Sequence, residues 1–204
     1  MSSAVARPTL MEAAQSSGFM VGGEPLAVDL ADTVVTVSQP PTDLLADKKA
    51  SDRFWSLQAY RLPEPWRAPS LSDTRELRDA IRALLDAALS GAPFRAGALK
   101  VVNRVSGAVT TTLAAENDSG RLQKLEYWGA AQPADLALGA AARSAIELLS
   151  DPSGLDHLRR CANPNCSMLF VKGDARRVWC TPNICGNRTR VARHYLRHRE
   201  PDLR

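Results

Sequence analysis

The chain has 204 residues, is 45% hydrophobic and 24% charged, and carries a formal net charge of +4. This is the composition of a folded globular protein, which excludes wholesale disorder, and the length suits one domain or a domain with a small appendage. No apolar run approaches the ~20 residues that a membrane span needs. Residues 1–18 read as a flexible lead-in, because Pro8, Glu12 and Gln15 interrupt any secretory apolar region, and the expected location is cytoplasmic.

From Phe19 to Thr33, Gly22-Gly23 permits a sharp backbone reversal and the apolar stretch behind it reads as a buried short helix or strand. Asp29 lies inside that stretch, and a buried carboxylate needs a partner. The expected role is a cap or an ion pair to an arginine of the next helix; a ligand contact by Asp29 or Asp32 is the alternative. Residues 51–61 follow a helical period and end at Leu62-Pro63. Ser72-Asp73 opens the strongest helix, with Leu77, Ile81, Leu84, Leu85 and Ala88 on one side and Gly91 to stop it. Arg78 and Arg82 fall on its polar flank, as i,i+4 partners of nearby carboxylates. Residues 95–105 read as helical. Val109–Leu113 and Arg121–Trp128 form an antiparallel hairpin across a turn at 116–120. Pro133 opens an alanine-rich helix to about Ser150, Asp151-Pro152-Ser153-Gly154 breaks it, and a helical turn from Leu155 to Arg160 follows.

Charge changes sign near this break. Residues 1–158 hold 15 Lys/Arg against 19 Asp/Glu, net −4, whereas residues 159–204 hold 11 against 3, net +8. All four cysteines, Cys161, Cys166, Cys180 and Cys185, lie in the basic segment as C-x4-C-x13-C-x4-C. Clustered cysteines in a cytosolic chain favour metal over cross-links, and two pairs on short loops suit one tetrahedral, structural Zn²⁺. A redox pair or an iron–sulfur cluster is the residual alternative, without the usual spacing of either. Between the pairs, Met168–Val171 and Ala175–Trp179 around Lys172-Gly173-Asp174 read as a hairpin. After Cys185 a helix is expected to run to Glu200-Pro201, with Asn187 as N-cap. Knuckle, hairpin and helix together make a treble-clef finger.

Helical spacing puts Arg190, Arg193 and Arg197 on one stripe with His194 beside them, and Val191, Ala192, Tyr195 and Leu196 on the side facing the hairpin. Arg188 flanks the apolar side, and Arg176-Arg177 adds charge from the hairpin. Arginine exceeds lysine ten to one here, which favours planar bidentate partners such as phosphate or carboxylate. Double-stranded DNA is the first expected partner. An acidic protein, RNA or a merely solvated surface are the alternatives. The body carries no nucleotide-binding, GxSxG or HExxH signature, and its sole histidine ahead of the finger is His157, so no enzyme is expected.

CANPNC, then RRVWC, then TPNICGNR and a basic helix resemble the CGNR zinc finger, whose tetrad stands here as Cys185-Gly186-Asn187-Arg188. The run from Phe19 to Thr33 resembles the start of the ABATE domain, with Asp32 where that pattern has Asn. In that family an ABATE domain precedes the finger and the proteins are regarded as bacterial transcription regulators. The resemblance implies zinc and suggests DNA. The expectation is therefore an α+β chain: residues 1–18 flexible, 19–150 an ABATE-like, mainly helical body with a hairpin, and 151–204 the finger. It would regulate transcription at the nucleoid, with a small-molecule effector or a homodimer served by the body. A protein-interaction adaptor is the rival reading.

Overall fold

The computed structural model describes residues 18–19, 23–181, 185–187 and 190–191. The chain enters at Gly23, whose φ of +77° favours glycine, and Pro25 leads into α1 (Leu26–Ala31). All six residues of α1 are buried, so this short helix holds its shape by packing rather than by propensity. A two-residue ribbon follows, β1 (Val34–Val35) paired antiparallel with β2 (Thr42–Asp43). Asp47 then caps α2 (Lys48–Gln58) by accepting from the Ala50 N–H at 2.7 Å, and a 3₁₀ turn over Ala59–Arg61 ends it.

The longest helix, α3 (Leu71–Ser90), starts where Ser70 accepts from the Asp73 N–H and stops at Gly91, φ +65°. Helix α4 (Ala96–Ser106) returns across it, and β3 (Val109–Asp118) and β4 (Arg121–Ala130) form a ladder of ten residue pairs closed by Ser119-Gly120. Both turn residues have positive φ, the geometry that joins twisted antiparallel strands in two residues. The hairpin is longer than the sequence predicts, and five of the 116–120 turn residues shrink to two. Helix α5 (Pro133–Ser150) spans the range expected of it. At Gly139 a Cβ would lie 2.5 Å from Val109, so the missing side chain is what lets the hairpin base rest on α5.

The core forms where α1 lies against α3 and α5. Phe54 and Trp55 of α2 are fully buried beside it, packed edge to face, with the Trp55 indole N–H donating to Thr74 Oγ1 at 3.1 Å. Leu158 and Leu169, from beyond the expected body boundary, belong to this same core.

Two elements differ from expectation. Asp151 caps a short helix, α6 (Pro152–His157), and the chain then becomes strand β5 (Leu158–Arg160) instead of continuing helical to Arg160. Strand β6 (Leu169–Val171) pairs antiparallel with β5, upstream of the first cysteine, and not with residues 175–179. The reason is burial: Leu158 and Leu169 are each 1% exposed and enter the body's core from adjacent strands. Residues 175–179 form no strand; an Arg177 N–H to Asp174 carbonyl bond closes a turn there.

Candidate zinc centre and basic face

Backbone hydrogen bonds close both cysteine loops. In the first, the Asn163 carbonyl accepts from the Cys166 N–H, and Asn163 Oδ1 from the Asn165 N–H, each at 3.0 Å. This knuckle returns the chain toward Cys161, whose own N–H donates to the Met168 carbonyl and extends the β5–β6 ladder. In the second loop the Thr181 carbonyl accepts from the N–H groups of Cys185 and Gly186. Cys185, Gly186 and Asn187 are already helical, so Asn187 sits inside the first turn rather than at its cap.

The four Sγ atoms all lie within 4.8 Å of one another, and none is in a disulfide. Cys180 Sγ stands 3.7 Å from Cys166 Sγ and 3.6 Å from Cys185 Sγ. A tetrahedral ZnS₄ centre with Zn–S bonds of about 2.3 Å has sulfur separations of about 3.8 Å, so this donor set fits one zinc ion. The crowding also creates a demand for a cation. The Cys166 sulfur, with burial second, drives the Cys180 thiol far above its ordinary value. Burial, then the charge on Cys180, pushes the Cys185 thiol up to about 11. Thiols so placed keep their protons until a metal supplies positive charge. Four sulfurs would complete the shell, making the ion structural, with no open position for a substrate.

The residues expected at a DNA face divide into three groups. Arg188, Arg193, His194 and Arg197 lie outside the described residues. Arg176 projects outward, its side chain 94% exposed, with Asp174 Oδ1 3.8 Å from its Nε. Arg190 is exposed and donates from Nη2 to Asn187 Oδ1 and from Nε to the Gly186 carbonyl, which orients it along the helix. Val191, expected to face inward, is exposed.

Arg177 has a different task. Its guanidinium reaches Glu24 Oε1 at 2.6 Å, donates to the carbonyls of Val171, Trp179 and Cys180, and lies 4.5 Å from the Phe170 ring centre. These partners engage the half-buried guanidinium within the protein, tying the second zinc loop to the start of the body. Glu24 completes the tie by accepting from the Val171 N–H at 2.8 Å.

Asp29 and Asp32 also bond within the protein. Asp29 pairs with Arg61 at 2.6 Å, the expected kind of bond, with the arginine in the turn after α2. Asp32 turns toward the finger: both its oxygens accept from the Leu169 N–H, at 2.9 and 3.0 Å, and Arg82 stands at 3.5 Å. Burial drives the Asp32 carboxyl well above the usual range, against the pull of Arg82 and the Leu169 N–H.

Arg82 is the residue that sequence reasoning missed. It does pair with Asp86 in the i,i+4 manner expected, but it is buried, not on a polar flank. From α3 it donates to the carbonyls of Ala31 and Ser167, so one guanidinium holds α1 to the finger. Arg78 is buried too, bonded to Asp43 at 2.5 Å and to Asp79. The only sequence signal for either was an arginine adjoining the apolar stripe, which does not say which distant carbonyl it will meet. Thr36 N–H donating to Ser167 Oγ and an Arg160–Asp86 ion pair complete the junction.

Among the described residues no helix is long and apolar enough to cross a membrane. Residues 24–152 match the ABATE family, described as "Putative stress-induced transcription regulator". Residues 157–198 match the CGNR zinc finger. No curated protein matches the chain.

Proposed function

Because the chain belongs to the ABATE family and carries a CGNR zinc finger, we propose that it is a zinc-dependent, DNA-binding transcriptional regulator. The observation that carries this reading is the four-sulfur cluster, spaced for zinc, within a segment of net charge +8. The stapled segment offers Arg176 and Arg190 to phosphate, with Arg188, Arg193, His194 and Arg197 continuing the basic stretch. Such contacts position a protein on DNA, while base-edge contacts from the same arginines would supply sequence preference. The body would act as sensor of a small ligand or as dimerisation unit, and two half-sites would give the specificity that one small finger lacks.

The test is selection of fragments from sheared genomic DNA by zinc-loaded protein at near-physiological salt. The Arg190→Ala/Arg193→Ala/Arg197→Ala variant runs alongside. Enrichment of a few sites by the parent and not by the variant supports sequence-specific regulation. Uniform recovery that collapses with added salt reduces the activity to phosphate binding. Equal binding by parent and variant overturns the helix assignment, and preference for structured RNA over duplex overturns DNA as the partner. A protein partner is the second reading, favoured by the exposed Val178 and Val191 beside the arginines. Pull-downs insensitive to nuclease would favour it.

A further inference from the structure

Between the start of α1, strand β4, helix α5 and the turn after α2 lies an open cleft of about 570 Å³. Its charged lining comes from Arg61, Glu64, Glu126, Arg143 and Glu147, with Tyr127 and Trp128 as its aromatic residues. Both arginines are already neutralised. Arg61 is paired to the buried Asp29, and Arg143 is bonded to Glu126 and Glu147 at once. One carboxylate's charge is thus left over around Arg143. Glu64 forms no ion pair among the described residues and is exposed at the cleft's edge, its Oε2 meeting only the Trp66 N–H at 3.4 Å. The lining carries a net negative charge beside an indole. Arg143 shows what this wall accommodates: its guanidinium sits 5.2 Å from the Trp128 ring centre, between two carboxylates. Stacking on an aromatic face while pairing with carboxylates is how a planar organic cation is held.

The cleft is also wired to the finger. Arg61 donates from Nη1 to the Glu24 carbonyl at 2.5 Å, and the Glu24 carboxylate holds Arg177 and the Val171 N–H. Arg177 in turn donates to the carbonyl of Cys180, a zinc-site residue, at 2.6 Å. Three consecutive contacts therefore separate the cleft wall from the sulfur cluster.

We propose that this cleft is the regulator's input site, that it takes a small organic cation bearing an amine, amidine or guanidine and a flat apolar group, and that Arg61, Glu24 and Arg177 relay its occupancy to the finger. The relay rests on the DNA-binding reading above; the ligand class does not. Benzamidine and its charge-inverted counterpart phenylacetate serve as probes, titrated calorimetrically into the zinc-loaded full chain. Benzamidine should bind in about the millimolar range expected of so small a ligand, phenylacetate should not, and Glu64→Gln with Glu147→Gln should weaken benzamidine about tenfold. Binding of phenylacetate in preference, binding of neither, or benzamidine affinity unchanged in the double variant overturns the ligand class. For the relay, saturating benzamidine should change the parent's DNA affinity severalfold and leave Glu24→Gln unmoved, although that variant still binds the probe. An equal change in both sinks the relay. A parent that binds benzamidine but no DNA sinks the DNA-binding reading and leaves the cleft assignment standing.

Discussion

The helical body and the finger reach order by different routes. The body buries Phe54, Trp55, Leu77, Ile81 and Leu85 in a core of its own making, with helix caps and a glycine stop at the ends of α3. The finger is too small to bury such a core and gains order from two outside sources. One is the four-sulfur site, and the other is the body itself, which takes in Leu158 and Leu169, meets finger backbone groups with Glu24, Asp32 and Arg82, and donates the Thr36 N–H to Ser167 Oγ. Two segments that match separate families thus share one core and a set of charged bonds. A finger anchored in this way is well placed to respond to changes in the body.

Withholding zinc should break the comparison most severely. Structural zinc stabilises small fingers by about 10–16 kcal/mol at neutral pH. Chelation, or Cys180→Ser, should open residues 161–187 to protease while the helical circular dichroism of α2–α5 persists. Loss of both signals together would mean that the body cannot stand without the finger.

Next in size is Arg82→Ala. Removing one partner from a buried charged network costs about 3–5 kcal/mol, and this variant strips donors from Ala31, Asp32 and Ser167 together. A thermal melt should fall steeply, and protease should attack the finger first. Glu24→Gln is smaller, about 1–3 kcal/mol, because the amide oxygen still accepts from the Val171 N–H while the Arg177 charge pair is lost.

Asp32 adds a pH test. Its carboxyl titrates above the ordinary value in the folded protein because burial disfavours the ionised form. The folded state therefore binds that proton more tightly than the unfolded state, so this residue's contribution to stability is full below the unfolded value near 3.8 and is lost as pH rises through the raised folded one. Asp32→Asn removes the ionisation and should melt progressively higher than the parent as pH climbs through that window. A difference independent of pH would mean that Arg82 and the Leu169 N–H fully compensate the charge. The smallest effect belongs to Lys48→Ala: its i,i+4 pair with Asp52 is exposed and contributes about 0.5 kcal/mol or less.

The sequence alone determined those elements whose causes are local. Pro133 and the break at Asp151 bounded α5, Gly91 ended α3, and Val109–Leu113 against Arg121–Trp128 across a turn-rich stretch announced the hairpin, because period, caps and turn residues act within a few positions. The cysteine spacing announced the metal site for the same reason. Tertiary structure decided the rest. Strand β6 chose β5 over residues 175–179 because both strands carry a leucine that the body's core could receive. Arg177, expected at a nucleic acid, turned inward because Glu24, 153 positions away, waited there. Asp32 and Arg82 meet Leu169 and Ser167 across 137 and 85 positions. A charged side chain declares in sequence only that it needs a partner. Which partner it finds depends on the packing that brings distant backbone within its reach.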